Sequence, residues 1–166
     1  MSGPVFVDTN VFVYARDARE PSKQPIAAEW LQHLWAEQSG RTSTQVLSEY
    51  YVTVTRKLAP GLPVDDAWDD VQSLLSWRPI ATDDAVLRRG HDIEQRYRLG
   101  WWDSLIVAAA ILQGCPLLLS EDLQDGGTYG GVTVRSPFTL RIGEAVTRYR
   151  SAPTARRHRP RGRPKR

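Results

Sequence analysis

Four acidic residues stand where an alternating α/β chain places its chemistry. Asp8 closes a short apolar run, Pro4-Val5-Phe6-Val7, that reads as a buried strand. Glu49 falls within the first two turns of a helix starting at Thr44, and Asp103 opens an almost wholly apolar helix. Asp122 follows the strand Pro116 to Leu119. In a parallel sheet the connecting helices run back against the strands, so helix starts and strand ends share the edge where ligands bind. Carboxylates gathered there repel one another, and burial raises their pKa values unless a cation joins them. An all-oxygen donor set suits Mg²⁺ or Mn²⁺, whereas zinc favours His or Cys. His33, His91 and His158 are scattered and make no metal spacing. The chemistry that fits is metal-assisted attack of water on a phosphodiester.

Each acid also has a plain structural use. Asp103 before Ser104 is a good helix N-cap, with Trp102 and Val107 spaced for a hydrophobic staple. Glu49 alone reads as a solvated helix residue, and Asp122, near Asp125 and a glycine loop, as turn chemistry. Asp8 is the acid that packing explains least. The coincidence of all four on one edge decides for a site. Thr9 and Asn10 have side chains suited to orienting Asp8 or a water, although Asn10 could equally cap the next helix. Ser120 is a supporting donor, and Asp125 an extra candidate that fits a loop role better. Cys115, beside Pro116, reads as buried and inert. Trp101-Trp102 could stack a base, but core packing is the expectation.

The elements that must position these residues alternate along the chain. After the first strand and a polar loop from Arg16 to Lys23, apolar residues at Ile26, Trp30, Leu31, Leu34 and Trp35 predict a helix over 25–38. Gly40 ends it, and Arg41-Thr42-Ser43 makes a second strand. A further helix runs from Thr44 to about Lys57, before Pro60, Gly61 and Pro63 break it. Asp65 or Asp66 caps a third helix with Trp68, Val71, Leu74 and Leu75 inside. A weak third strand spans 78–81, and Thr82-Asp83 starts a charged helix ended by Gly100 as its C′ residue. The buried helix 103–113, the strand Pro116–Leu119, a glycine loop and the last strand Val132-Thr133-Val134 follow. The fold class is α/β, a central, mainly parallel sheet flanked by helices on both faces.

Composition excludes some classes. At 166 residues, 41% hydrophobic and 25% charged, the chain is an ordinary globular domain, with no run of eighteen apolar residues and no secretory leader pattern. One cysteine forms no internal disulfide, which suits the cytoplasm. Residues 151–166 hold seven of the 22 Lys and Arg and no acid, leaving 15 cations against 19 acids before them. The basic balance therefore belongs to a tail, read as disordered, which either adds salt-sensitive affinity for RNA phosphates or is simply solvated. No G-x-G-x-x-G follows the first strand, so dinucleotide binding is not expected. An aspartyl-phosphate phosphatase wants a second Asp at position 10, which is Asn10, and a receiver domain wants a late Lys, absent between Lys57 and Lys165.

Asp8-Thr9-Asn10, Glu49 in Ser43-Thr44-Gln45-Val46-Leu47-Ser48-Glu49, Asp103 in Trp102-Asp103-Ser104, and Asp122 in Ser120-Glu121-Asp122-Leu123-Gln124-Asp125-Gly126 together resemble a PIN-domain nuclease. The match is to the VapC toxins of toxin–antitoxin pairs, over about residues 4 to 138. The resemblance implies a three-layer PIN-like fold and an endoribonuclease dependent on Mg²⁺ or Mn²⁺. It implies a metal held by Asp8, Asp103 and Asp122, Glu49 binding the ion or positioning water, and support from Thr9, Asn10 and Ser104. It also implies a VapB-type antitoxin, whose apolar groove would use exposed parts of 26–35 and 50–54, and a chain that commonly forms homodimers. The expected divisions are a nuclease domain over 1–138, a C-terminal helix within 139–150, and the basic tail 151–166. The alternative is a domain of the same fold that binds RNA or a partner without catalysis.

Overall fold

The computed structural model describes residues 3–149. Apolar runs without alternation form the centre of the sheet. Strands β1 (Val5–Val7) and β3 (Leu117–Leu119) are buried throughout, as strands covered on both faces must be. They pair in parallel with Val5 opposite Leu117 and Val7 opposite Leu119. β2 (Gly40–Arg41) adds to the other side of β1, and β5 (Val132–Arg135) to the other side of β3, both in parallel. β4 (Thr128–Tyr129) completes the order β2-β1-β3-β5-β4 and is antiparallel to β5.

Helices fill the connections. α1 (Thr9–Tyr14) starts directly after β1 and buries Val11 and Phe12. α2 (Gln24–Ala36) buries Ala27, Trp30 and Leu34, with Trp30 Nε1 donating to the Pro137 carbonyl at 3.1 Å. α3 (Thr44–Val52) passes into a π-helical turn, Thr53–Lys57. α4 (Val64–Leu74) and the 3₁₀ turn Leu75–Trp77 follow, then α5 (Asp84–Tyr97) and α6 (Trp101–Leu112), which pack together. α7 (Ile142–Arg148) lies within the expected C-terminal helix, and Gly3 N donates to the Tyr149 carbonyl at 3.0 Å, joining both ends of the described chain at the amino edge of the sheet. No helix of the described residues is long and apolar enough to cross a membrane. The expectation for the tail 151–166 lies outside the described residues.

Several boundaries depart from expectation, each for a local reason. The second strand is Gly40–Arg41 rather than 41–43, because Ser43 Oγ accepts from Val46 N at 3.2 Å and caps α3. Gly40 is required there: a Cβ on it would lie 2.4 Å from the Trp77 ring. The strand expected over 78–81 reduces to a single parallel bridge, Ser43 to Ile80. β4 was not expected. Gly130 and Gly131, at φ 55° and 87°, make the two-residue turn that returns the chain as a hairpin. Asp65 and Asp66 lie in the first turn of α4, favourable to its dipole, while the N-cap position is Pro63. Asp83 does cap α5, accepting from Val86 N at 3.1 Å. That helix ends at left-handed Arg98 rather than at Gly100, which instead precedes α6. Asp103 is therefore not an N-cap but the third residue of α6.

Candidate active site

Asp8 is the best-buried of the four acids and the best held. Its backbone N donates to the Leu119 carbonyl at 3.0 Å, extending the β1–β3 ladder, and its side chain caps α1. Oδ1 accepts from Thr9 N at 2.7 Å; Oδ2 accepts from Ser120 Oγ at 2.8 Å and from Asn10 Nδ2 at 3.4 Å. Asn10 does not cap a helix. It bridges two strand ends, its Oδ1 accepting from Glu121 N at 3.1 Å while its Nδ2 reaches Ser120 Oγ at 3.3 Å. Ser120 Oγ also accepts from Asp122 N at 3.2 Å. One hydroxyl thus ties Asp8 to the segment that carries Asp122.

Glu49 is fixed from two sides. Thr9 Oγ1 donates to its Oε2 at 2.8 Å, and Gln45 Nε2, one turn earlier on α3, donates to its Oε1 at 3.0 Å. The i,i+4 spacing of Gln45 and Glu49 made this contact readable in the sequence, and it was missed. Among the described residues Asp103 has no hydrogen bond that fixes its carboxylate, but it feels the charges of Asp122 and Glu49.

Electrostatics ties the group together. Burial pushes the Asp8 carboxyl up to about 6; bonds from Ser120 and Thr9 N pull it down, while the charges of Asp122 and Glu49 push it further up. Asp103 is raised by burial and then by Asp122 and Glu49. No ion pair among the described residues involves any of these acids: Lys23 is held by Glu121 at 2.6 Å, and Arg16 by Asp70. Crowded carboxylates that no ion pair balances are the condition that a divalent ion relieves. Among the described residues no three His, Cys, Asp or Glu side chains stand close enough to enclose an ion as they are. Mg²⁺ commonly takes one or two carboxylates and keeps its remaining waters, so an open all-oxygen site of this kind fits it. Beside the acids opens a cleft of about 760 Å³, lined by Thr9, Asn10, Tyr14, Glu49, Lys57 and Asp122.

Two expected supports lie elsewhere. Ser104 is buried and its Oγ donates to the Gly100 carbonyl at 2.8 Å, closing the first turn of α6 rather than touching an acid. Asp125 accepts from Arg135 Nε at 3.0 Å, Ser136 N at 2.9 Å and Thr139 Oγ1 at 2.7 Å, so it fastens the loop after β3 to the chain after β5. Cys115 is buried, and burial pushes its thiol up to about 12. Of the segments expected to offer an apolar groove, Ile26 and Trp35 are exposed but Tyr50 and Val54 belong to the core. Tyr51 and Val52 of the second segment are partly exposed and line an open apolar groove between α3 and α4, together with Leu47, Trp68, Val71 and Leu75.

A mainly parallel sheet with helices on both faces and an acidic crevice at its carboxyl edge defines the class. The PIN domain profile matches residues 5–124, and the chain belongs to the PIN domain family. No curated protein matches it significantly. Among solved structures it is similar to FitAB bound to an IR36 DNA fragment, at 19% identity and a TM-score of 0.63, covering 82% of this chain and 97% of that one. It is also similar to VapBC2 from Rickettsia felis bound to a DNA fragment from their promoter, at 17% identity and a TM-score of 0.57, covering 80% and 97%. At these identities the likeness is one of fold.

Proposed function

We propose that this PIN domain is an endoribonuclease dependent on Mg²⁺ or Mn²⁺, acting as the toxin of a VapBC-type toxin–antitoxin pair. The observation that carries the reading is the acidic set in which the charges of Asp122 and Glu49 bear on both Asp8 and Asp103, with none of the four in an ion pair among the described residues. Asp8, Asp103 and Asp122 would hold the ion, which when bound supplies positive charge at the phosphate and makes water a better nucleophile. The chain's own residues do the rest. Ser120 and Thr9 N keep Asp8 in one rotamer, while Thr9 Oγ1 and Gln45 fix the Glu49 carboxylate so that it can orient a water. The fold shared with a VapBC pair supports a VapB-type antitoxin as partner, and the apolar groove between α3 and α4 supports a partner that buries it.

The test is cleavage of total RNA in Mg²⁺ or Mn²⁺ by the wild type beside Asp8→Asn. The expected result is cleavage by the wild type alone, abolished by EDTA. Cleavage that survives EDTA, or that both proteins share, overturns the reading. The non-catalytic alternative rests on one observation, that the acids as they stand do not enclose an ion. RNA binding without cleavage under every metal condition would favour it.

A further inference from the structure

One wall of the cleft beside the acids is shaped by a break in helix geometry. The helix expected to run on to Lys57 changes its winding at Thr53, where α3 passes into the π-helical turn. Ser48, Glu49, Val52, Thr53 and Lys57 line the cleft from this wall. Glu49, Thr53 and Lys57 follow one another at intervals of four residues, and all three reach the same cleft. A regular α-helix does not hold that spacing on one face. Two steps of four drift about 80° round the axis, whereas seven residues return to within about 20°. Continued as an α-helix, α3 would therefore set Arg56, not Lys57, in line with Glu49. In the π-helical turn each hydrogen-bonded ring takes in one more residue, Leu58 N donating to the Thr53 carbonyl at 3.1 Å, and the slower winding brings Lys57 round.

The turn is clamped in place. Val54 is fully buried, its carbonyl accepts from Leu62 N at 2.8 Å, and Thr55 Oγ1 donates to the Tyr51 carbonyl at 2.6 Å. Gly61 passes so close that a Cβ on it would stand 2.9 Å from the Thr55 carbonyl oxygen. Among the described residues Lys57 is the one cation that lines the cleft, facing the carboxylates of Asp17, Glu20, Glu49 and Asp122. Asp17 is taken by Arg19, whereas Lys57 is exposed and forms no ion pair among the described residues. A phosphate chain entering this cleft is repelled by its acids everywhere except at Lys57. Eight residues on from Glu49, Lys57 lies up to about 12 Å further along the wall, which suits a flanking phosphate better than the one being cut.

We propose that Lys57 binds a backbone phosphate of the RNA flanking the one at the acids, and that the π-helical turn is what selects Lys57 over Arg56 for that contact. This rests on the nuclease reading above and adds to it the course of the substrate, along the α3 wall from Glu49 toward Lys57.

The test uses the full chain carrying Asp8→Asn, in Mg²⁺, so that RNA is bound and not cut. Fluorescence anisotropy follows a short labelled RNA over a range of salt concentrations. Adding Lys57→Gln should weaken binding about three- to tenfold at low salt and flatten the slope of log affinity against log salt by about 0.7, one phosphate contact. Lys57→Arg should keep both affinity and slope. Arg56→Gln removes the same charge one residue earlier and should change neither by more than about a third of the Lys57→Gln effect. In the cleaving protein, Lys57→Gln should raise KM and leave kcat within about threefold. Its Mn²⁺ affinity by calorimetry should hold or tighten, because a positive charge has left the cleft. No loss from Lys57→Gln, or an equal loss from Arg56→Gln, overturns the proposal and leaves the nuclease reading standing. A loss that Lys57→Arg shares, or one that comes with weaker Mn²⁺ binding, would make the lysine a support of the turn, and overturns it too. Failure of the wild type to bind or cut any RNA removes the nuclease reading, and this inference with it.

Discussion

Ser120 Oγ donates to Asp8 Oδ2 at 2.8 Å across 112 residues of sequence, joining the ends of the two central strands through a wholly buried hydroxyl. The same oxygen accepts from Asp122 N, so the hydroxyl sets the distance between two of the acids. Ser120→Ala should keep the fold but lose this bond, which holds the Asp8 pKa down. Without it Asp8 ionises only at higher pH. Mn²⁺ affinity by calorimetry should fall about ten- to a hundredfold, and the acid limb of the activity profile should move to higher pH.

Asp8 itself is a cost to the metal-free fold. Its carboxyl moves from 3.8 to about 6 because burial disfavours the charge, with Asp122 and Glu49 adding to it. A group raised on folding contributes fully below its unfolded pKa, and that contribution is lost as pH rises through the folded value. Asp8→Asn should therefore melt higher than wild type at pH 7.5 in EDTA, by at most about 3 kcal/mol, and the difference should vanish near pH 4. Saturating Mg²⁺ should stabilise the wild type more than the variant and narrow the gap. Calorimetric melting at the two pH values checks the sign, and a lower melting point for the variant at pH 7.5 would contradict it.

Glu49 depends on two neutral donors. Thr9→Val removes the hydroxyl at 2.8 Å with little change of volume, and Gln45→Ala removes the amide at 3.0 Å. Each should reduce kcat about three- to thirtyfold while leaving Mn²⁺ affinity within about threefold, because neither residue touches Asp8 through its side chain. The double variant should lose more than either single one. Stability should change by less than about 1 kcal/mol, since both sites are only partly buried.

Asp125 should behave in the opposite way. It holds Arg135, Ser136 and Thr139, and its carboxylate is half-exposed. Asp125→Ala should lower stability by about 1–2 kcal/mol in urea unfolding and leave the cleavage rate per folded molecule unchanged. A loss of activity at unchanged stability would return Asp125 to the site.

The central strands were legible because burial on both faces leaves a signature that sequence carries directly: unbroken Val-Phe-Val and Leu-Leu-Leu runs. The shared edge of Asp8, Glu49, Asp103 and Asp122 followed from alternation of strands and helices alone. What escaped depends on partners distant in sequence or on very short elements. β4 is two residues long and its glycine turn is indistinguishable from a loop until Val132 is placed opposite Tyr129. Asp103 and Gly100 compete for the start of α6, and local propensity favours the aspartate; the structure starts the helix two residues earlier. Ser104 and Asp125 have the right chemistry for a site, but their hydrogen bonds go to Gly100 and to the chain after β5, and only tertiary placement decides that. Trp102 is exposed, not in the core where it was expected, beside a packed Trp101, and a Trp-Trp pair does not show which ring goes where.

The bond from Gly3 N to the Tyr149 carbonyl has a practical side. It pins the last described residue at the amino edge of the sheet, behind the strands, while the acids open at the other end. Gly3 and Tyr149 thus both stand at the back of the domain. A surface tether or a fluorophore placed on that side would hold the molecule with its crevice turned to the solution, which makes this chain well suited to immobilised, single-molecule observation of its substrate.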